Sequence, residues 1–259
     1  MGIMFKTSVA LIGASVLLAT ASAANASTIY SQTFSSGASG VLTGTAPTVD
    51  NGGATWQLAG ATGDDWSASG VAPTSSGGGY LTAAEYLPLT VASGNIYTLS
   101  VGALTPVTGT TGNWLAVGFF NSTSNNFILG STTQGPFMLL RDNGEIQAFG
   151  GPLSEAASFN TGNAGNGAGP YSLGGTATVV LNTEGTNWTA SFSYGGTSLG
   201  TYTYTTNPSA SLGVGFLSYK SMQGSVGSIS LTATPEPASF ALAGLGLGGM
   251  LLLKKRVAR

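Results

Sequence analysis

The side chains best suited to acid–base chemistry in this sequence are carboxylates, and they are sparsely distributed. Two are adjacent within Gly63–Trp66, Asp142 and Glu145 flank a turn-like segment, and Glu155 and Glu184 stand alone. Hydrolysis of a glycosidic bond needs two carboxyl groups about 5–10 Å apart across the sugar. Because Glu145 has no second acid on its own predicted strand, the spacing of the acids does not predict such a pair.

Composition excludes several other kinds of chemistry. The chain of 259 residues has no His and no Cys, which removes imidazole bases, Cys nucleophiles, thiolate or imidazole zinc sites and disulfides. Residues 27–234 hold two basic residues, Arg141 and Lys220, against eight acidic ones, a net charge of −6. Such a surface cannot neutralise phosphates, so nucleic acid is excluded as a partner. We expect a protein that is not an enzyme.

The segment around Asp64, Asp65 and Trp66 is the best candidate for ligand contact. The two carboxylates could supply oxygen ligands to calcium, or they could cap backbone amides of a turn. Calcium takes about six or more oxygens, and only two such side chains are visible, so no cofactor is predicted and calcium stays an alternative. Trp66 could stack on a sugar or pack in the core.

Period-two alternation predicts the elements that must position these side chains. Apolar and polar residues alternate in 97–102, 188–194 and 201–205, and no long segment has a helical period. Asn143-Gly144 and Gly195-Gly196 lie between such runs and predict hairpin turns. The sequence therefore predicts one all-β domain, a jelly-roll-like β-sandwich over residues 27–234.

The order of strand-like fragments resembles the concanavalin A-like lectin/glucanase jelly roll. The fragments are Gly53–Trp56, Tyr86–Leu89, Tyr97–Ser100, Asn113–Phe119, Pro136–Arg141 and Val179–Thr183. The resemblance implies this fold for most of residues 27–234. The glucanases of the family carry their acids as Glu-x-Asp-x-x-Glu on one strand, and this sequence departs from that pattern.

Both ends of the chain have the pattern of targeting segments. Lys6 precedes an uncharged apolar run over 8–20, and A-x-A patterns end at Ala23 and Ala26. This order is typical of a secretory signal peptide over residues 1–26, cleaved after Ala26 or, as second choice, after Ala23. The other end has Pro-Glu-Pro (Pro235, Glu236 and Pro237), an apolar span over 238–253 and basic residues within 254–259.

The apolar C-terminal span predicts a single transmembrane helix. Sixteen residues span about 24 Å as a helix, close to the thickness of a bilayer core. The stop signal is the basic cluster Lys254, Lys255 and Arg256, which favours a cytoplasmic C-terminus and places the body outside the inner membrane.

Pro-Glu-Pro, an apolar span and a basic terminus on a chain with a signal peptide resemble the PEP-CTERM sorting signal over residues 235–259. The resemblance implies a Gram-negative bacterium that makes exopolysaccharide, and an exosortase-type membrane protease as partner. Pro235, Glu236 and Pro237 would then be the recognition tripeptide. The expected location is an inner-membrane-tethered precursor and then the cell surface or extracellular matrix.

The sequence therefore favours an exported, non-catalytic β-sandwich protein that associates with exopolysaccharide. Two alternatives stay open. One is a divergent secreted polysaccharide hydrolase or lyase, which would need two acids from different strands facing each other in a groove. The other is a structural matrix protein that self-associates through the edges of its sheets.

Overall fold

A computed structural model of the chain describes the greater part of its central region. The described residues are 25–59, 65–72, 82–102, 104–106, 114–121, 135–141, 145–150, 158–160, 174–219 and 224–235. They belong to one compact unit. Within these ranges, no helix is long and apolar enough to cross a membrane.

Sixteen β-strands make up the regular structure of the described residues. In chain order they are β1 (Ser27–Thr33), β2 (Val49–Asp50), β3 (Gln57–Ala59), β4 (Thr82–Thr90), β5 (Asn95–Gly102), β6 (Thr105–Pro106), β7 (Trp114–Phe120), β8 (Phe137–Arg141), β9 (Ile146–Phe149), β10 (Ser158–Asn160), β11 (Ala177–Asn182), β12 (Thr189–Tyr194), β13 (Thr197–Thr203), β14 (Ser211–Tyr219), β15 (Gly224–Ser225) and β16 (Ser228–Pro235).

The strands form two seven-stranded antiparallel sheets and a two-stranded ribbon of β15 and β6. The first sheet has the order β13-β12-β11-β5-β16-β1-β2, and the second has the order β10-β9-β8-β7-β14-β4-β3. Neighbours such as β5 and β16 are far apart in sequence, as in a jelly roll. The prediction of an all-β sandwich is confirmed.

The first sheet has one apolar face and one polar face. In β11 the residues Ala177, Val179 and Leu181 are buried, and the residues between them are half-buried. Strand β12 alternates in the same way. The buried positions face the second sheet and join it in one hydrophobic cluster. Each large apolar side chain buried in this way contributes about 1.5–3 kcal/mol to folding.

The central strands of the second sheet, β7 and β14, are buried on both faces. Every residue of β7 is buried, and so are the described residues of β14 apart from Ser211. The alternation seen in the first sheet is therefore missing from β7. Its sequence, WLAVGFF, consists of apolar residues and one glycine, Gly118. A continuous apolar run is what a strand needs when neither of its faces meets water.

The predicted hairpins pair as expected. Strands β12 and β13 are joined at Gly195 and Gly196, whose φ angles of 55° and 82° are those of a two-residue hairpin turn that only glycine adopts easily. Strands β8 and β9 also pair with each other. The turn residues Asn143 and Gly144 lie outside the described residues.

Gly215 of β14 lets the neighbouring strand β4 approach closely. It pairs with Tyr86 of β4 and with Gly118 of β7. A Cβ atom added at Gly215 would lie 2.0 Å from the backbone oxygen of Glu85 and 2.8 Å from the Cα of Tyr86. Backbone atoms cannot move aside as a flexible side chain can, so this position requires glycine.

We expect Gly215→Ala to lower the free energy of unfolding by about 1–3 kcal/mol, because the added methyl group forces β4 and β14 apart. Urea denaturation followed by tryptophan fluorescence measures the change. Gly37→Ala is the matched control, since a Cβ atom there meets nothing within 4 Å. Equal stability of the two variants would contradict the packing of β4 against β14.

Candidate functional site

Three oxygen-bearing side chains meet at one end of the core. The Oγ1 atom of Thr43 lies 2.5 Å from Oδ1 of Asp65 and 2.7 Å from Oε1 of Glu85. We refer to Thr43, Asp65 and Glu85 as the acid clasp. Asp65 was a candidate from the sequence, whereas its neighbour Asp64 lies outside the described residues.

Backbone hydrogen bonds hold the loops of the acid clasp in place. The N–H of Leu42 donates to the carbonyl of Trp66 at 2.8 Å, and the N–H of Gly44 donates to the carbonyl of Trp56 at 2.8 Å. Thr43 is thus held between two tryptophan backbones. Glu85 comes from the middle of β4, where it pairs with Phe216 of β14.

Glu85 is a fully buried acid, with 0% of its surface exposed. Burial raises the pKa of its carboxyl from 4.5 to about 7. The hydrogen bond between its side chain and Thr43 lowers the pKa, the charge of Asp65 raises it, and a hydrogen bond with the backbone of Trp66 lowers it. Its Oε2 atom has no hydrogen-bond partner among the described residues. Glu85 was not predicted from the sequence, where its signal is a lone acid in the apolar segment AAEYLPLT.

The acid clasp brings two acids together inside the core. Oδ1 of Asp65 and Oε1 of Glu85 both contact Oγ1 of Thr43, so the two carboxyl groups are close to each other. A retaining glycosidase holds its two carboxyl groups about 5–5.5 Å apart beside the sugar. A sugar, however, would have to reach a carboxyl that is buried beside Phe216 on the core face of β4. The arrangement can share a proton, and Glu85 has no surface exposed to solvent.

Trp66, a sequence candidate for sugar contact, is placed in the core. It has 0% exposure, and its ring centroid lies 4.4 Å from that of Phe216. Trp56 and Phe34 pack on the same Phe216 ring at 5.3 and 5.7 Å. A ring that is enclosed on all sides has no face to offer a ligand, so Trp66 stabilises the loop that carries Asp65.

A second polar cluster lies on β8 and β9. Nε of Arg141 is 3.5 Å from Oε2 of Glu145, and Nη2 of Arg141 donates to Oε1 of Gln147 at 3.2 Å. Gln147 in turn donates from Nε2 to Oε1 of Glu145 at 3.2 Å. Glu145 is buried, with 2% exposure, so the cluster pairs a buried acid with its cation. Asp142 lies outside the described residues.

Hydroxyl side chains occupy most positions of two neighbouring rows on the outward face of the first sheet. One row across six strands reads Ser31, Ser230, Ser100, Thr178, Ser193 and Ser198. The next row reads Thr28, Thr232, Thr98, Val180, Ser191 and Thr201. We call these two rows the hydroxyl face.

The hydroxyl face is regular and uncharged. Neighbouring strands lie about 4.8 Å apart and successive outward residues about 6.7 Å apart, which sets the spacing of the hydroxyl groups. No outward position of these two rows carries an ionisable side chain. Each hydroxyl can both donate and accept a hydrogen bond, and the β-branched threonines are stiff at χ1. The surface therefore suits a neutral, polyhydroxylated ligand.

The predicted sorting residues lie at the edge of what the structure describes. Pro235 is the last residue of β16, where it pairs with Asn95. Ala26 directly precedes β1, whose first residue, Ser27, pairs with Ala233. Both ends of the body thus leave from neighbouring strands. The other predicted sorting and stop residues lie outside the described residues: Glu236, Pro237, Lys254, Lys255 and Arg256.

Comparison with known proteins identifies the tail. Residues 233–256 match the PEP-CTERM protein-sorting motif, as the sequence predicted. No curated protein matches the chain in sequence.

The body resembles concanavalin A-like proteins in structure. An endo-1,3-beta-glucanase from Streptomyces sioyaensis aligns at a TM-score of 0.50 and 15% identity, covering 81% of this chain and 97% of that one. Lectin II from Ulex europaeus aligns at 0.44 and 14%, over 70% and 92% of the chains. The Emp47p carbohydrate recognition domain aligns at 0.46 and 13%, over 81% and 96%. The glucanase likeness shows a shared fold alone, and it agrees with the predicted concanavalin A-like sandwich.

We expect Trp66→Ala to lower the free energy of unfolding by about 3–5 kcal/mol, because the substitution leaves a cavity against Phe216. Chemical denaturation measures the loss. Val71→Ala, at a position with 45% exposure, is the control and changes stability by less than about 0.5 kcal/mol. A stable Trp66→Ala variant with altered glycan binding would instead assign Trp66 to a ligand site.

Proposed function

We propose that this protein is exported and sorted through its C-terminal tail, and that its body associates with exopolysaccharide without catalysing a reaction. The match of residues 233–256 to the PEP-CTERM motif supports the sorting part of this proposal. The hydroxyl face is the single observation that carries the polysaccharide part.

The proposed route uses both ends of the chain. Residues 1–26 act as a signal peptide, and cleavage after Ala26 frees a body that begins at Ser27. The apolar span over 238–253 holds the precursor in the inner membrane, with Lys254, Lys255 and Arg256 on the cytoplasmic side. An exosortase-type protease then recognises Pro-Glu-Pro and releases the body toward the cell surface or matrix.

The hydroxyl face supports contact with a neutral glycan for reasons of charge and geometry. An uncharged polysaccharide presents hydroxyl groups that must exchange their hydrogen bonds to water for equivalent ones on a partner. The rows of Ser and Thr offer both donors and acceptors without charges that would have to be desolvated. Stiff threonines lose little side-chain entropy when they bind.

The absence of catalysis is part of the proposal, and it is supported by the burial of Glu85. Among the described residues, Asp65 and Glu85 are two acids that approach one another, and substrate cannot reach Glu85 without unpacking the core. Glu145 is likewise buried and paired with Arg141. Buried acids with these partners serve stability rather than acid–base chemistry.

Mass spectrometry of the mature protein from its native host tests the sorting route. We expect an N-terminus at Ser27 and, in a strain with active exosortase, a C-terminus close to Pro237. Deleting 235–259 should leave the N-terminus unchanged and release the body from the membrane fraction. An intact N-terminal Met1 on surface-exposed protein would contradict the proposed export.

Retention on exopolysaccharide tests the proposed partner. We expect the protein to be retained, and the triple variant Thr98→Val, Thr178→Val, Thr232→Val to bind about tenfold more weakly or worse, because each lost hydrogen bond is worth about 0.5–1.5 kcal/mol. Valine keeps the shape and β-branching of threonine.

The matched control for this binding experiment is the double variant Thr205→Val, Thr206→Val, in the exposed segment after β13. It removes two hydroxyl groups outside the hydroxyl face, so its affinity should stay unchanged. Equal affinities of the triple variant and the unchanged protein would move the glycan contact away from the hydroxyl face. No retention of any form would contradict polysaccharide binding altogether.

A further inference from the structure

The acid clasp contains one more hydrogen bond than a hydroxyl group can donate. Oγ1 of Thr43 carries a single hydrogen, yet it lies within hydrogen-bonding distance of two carboxyl oxygens, at 2.5 Å from Asp65 and 2.7 Å from Glu85. If both acids were ionised, one of these contacts would bring two oxygen lone pairs together without a hydrogen between them. One of the two acids must therefore supply a proton.

We infer that Glu85 is protonated in the folded protein and donates to Thr43, that Thr43 donates to an ionised Asp65, and that loss of the Glu85 proton loosens the clasp. The inference is independent of the proposed function. It concerns how the fold responds to the pH outside the cell.

Burial selects Glu85, rather than Asp65, as the protonated acid. Glu85 has no exposed surface, whereas Asp65 is only half-buried and keeps some contact with water. Transfer of a carboxylate from water into an apolar interior is opposed strongly, so the more buried of two interacting acids takes the proton. The pKa of Glu85, raised to about 7 chiefly by burial, agrees with this assignment.

Among the described residues, the elements around Glu85 offer it no compensating cation. Its cross-strand neighbours are Leu58 of β3 and Phe216 of β14, and the described charge that acts on it is the negative charge of Asp65. Arg141 lies on β8, with β14 and β7 between β8 and β4, and is paired with Glu145. Asp64 and Lys220 lie outside the described residues.

Opening of the acid clasp would affect the tryptophan packing. Thr43 follows Leu42, whose N–H bonds to the carbonyl of Trp66, and Asp65 immediately precedes Trp66. When Glu85 ionises, two carboxylates face one hydroxyl hydrogen and repel each other across the loops. The loop that carries Trp66 is then the part that separates from Phe216 first.

The direction of the pH effect follows from the raised pKa. The folded state binds the Glu85 proton up to about pH 7, whereas the unfolded chain releases it near 4.5. The stabilisation is therefore complete below about pH 4.5 and is lost as the pH rises to about 7. This difference between the pKa of Glu85 in the folded and unfolded states corresponds to a change on the order of 100-fold in the folding equilibrium constant.

Denaturation of the full-length chain in nonionic detergent, followed by tryptophan fluorescence between pH 4.5 and 8, tests the inference. We expect the folding equilibrium constant to fall on the order of 100-fold with rising pH. The Glu85→Gln variant should lose this dependence, since its amide donates to Thr43 at every pH. Glu184→Gln, a substitution at a half-buried acid outside the clasp, is the control and should keep the dependence. A Glu85→Gln variant that follows the pH dependence of the unchanged protein would overturn the inference.

Two further measurements keep the inference testable even if Glu85→Gln folds poorly. An infrared spectrum of the unchanged protein near pH 6 should contain the carbonyl band of a protonated, buried carboxyl group, and this band should disappear as the pH passes 8. Its absence would overturn the inference. The second measurement is the addition of calcium at pH 8. If calcium stabilises the protein and a chelator reverses the effect, the acid clasp binds a cation in place of a proton, and the inference is overturned.

Discussion

The burial of the central strands of the second sheet, β7 and β14, on both faces is the constraint on which the rest of the structure depends. A strand with no solvent-facing side must be apolar along its whole length, as β7 is, and its neighbours must fit without gaps. Gly215 exists because the backbone of Glu85 passes too close for a side chain. The same condition makes the one acid of β4 costly as an ion, so its proton and its bond to Thr43 become part of the fold.

The fold could be predicted from sequence because its main signals are local. Alternation in the first sheet and the Gly195-Gly196 turn each involve residues only a few positions apart. The acid clasp could not be found in this way. Thr43 is 22 residues from Asp65 and 42 from Glu85, and nothing in the composition of these segments states that they meet.

The position of Trp66 also could not be predicted from its local sequence. A tryptophan beside two acids in a glycine-rich segment is equally typical of a sugar-binding site and of a residue packed in the core. Its environment is decided by Phe216, which lies 150 positions further along the chain. The hydroxyl face was not predicted, because the alignment of Ser and Thr into rows is set by the register of the strands.

The position of Pro235 has a consequence for the integrity of the body. Strand β16 lies between β5 and β1, and its ladder is complete at Pro235, while β1 begins at Ser27. Trimming the precursor before Ser27 and after Pro235 therefore takes no residue from either strand. In the proposed route, removal of both terminal segments therefore leaves the ladders of β1 and β16 intact.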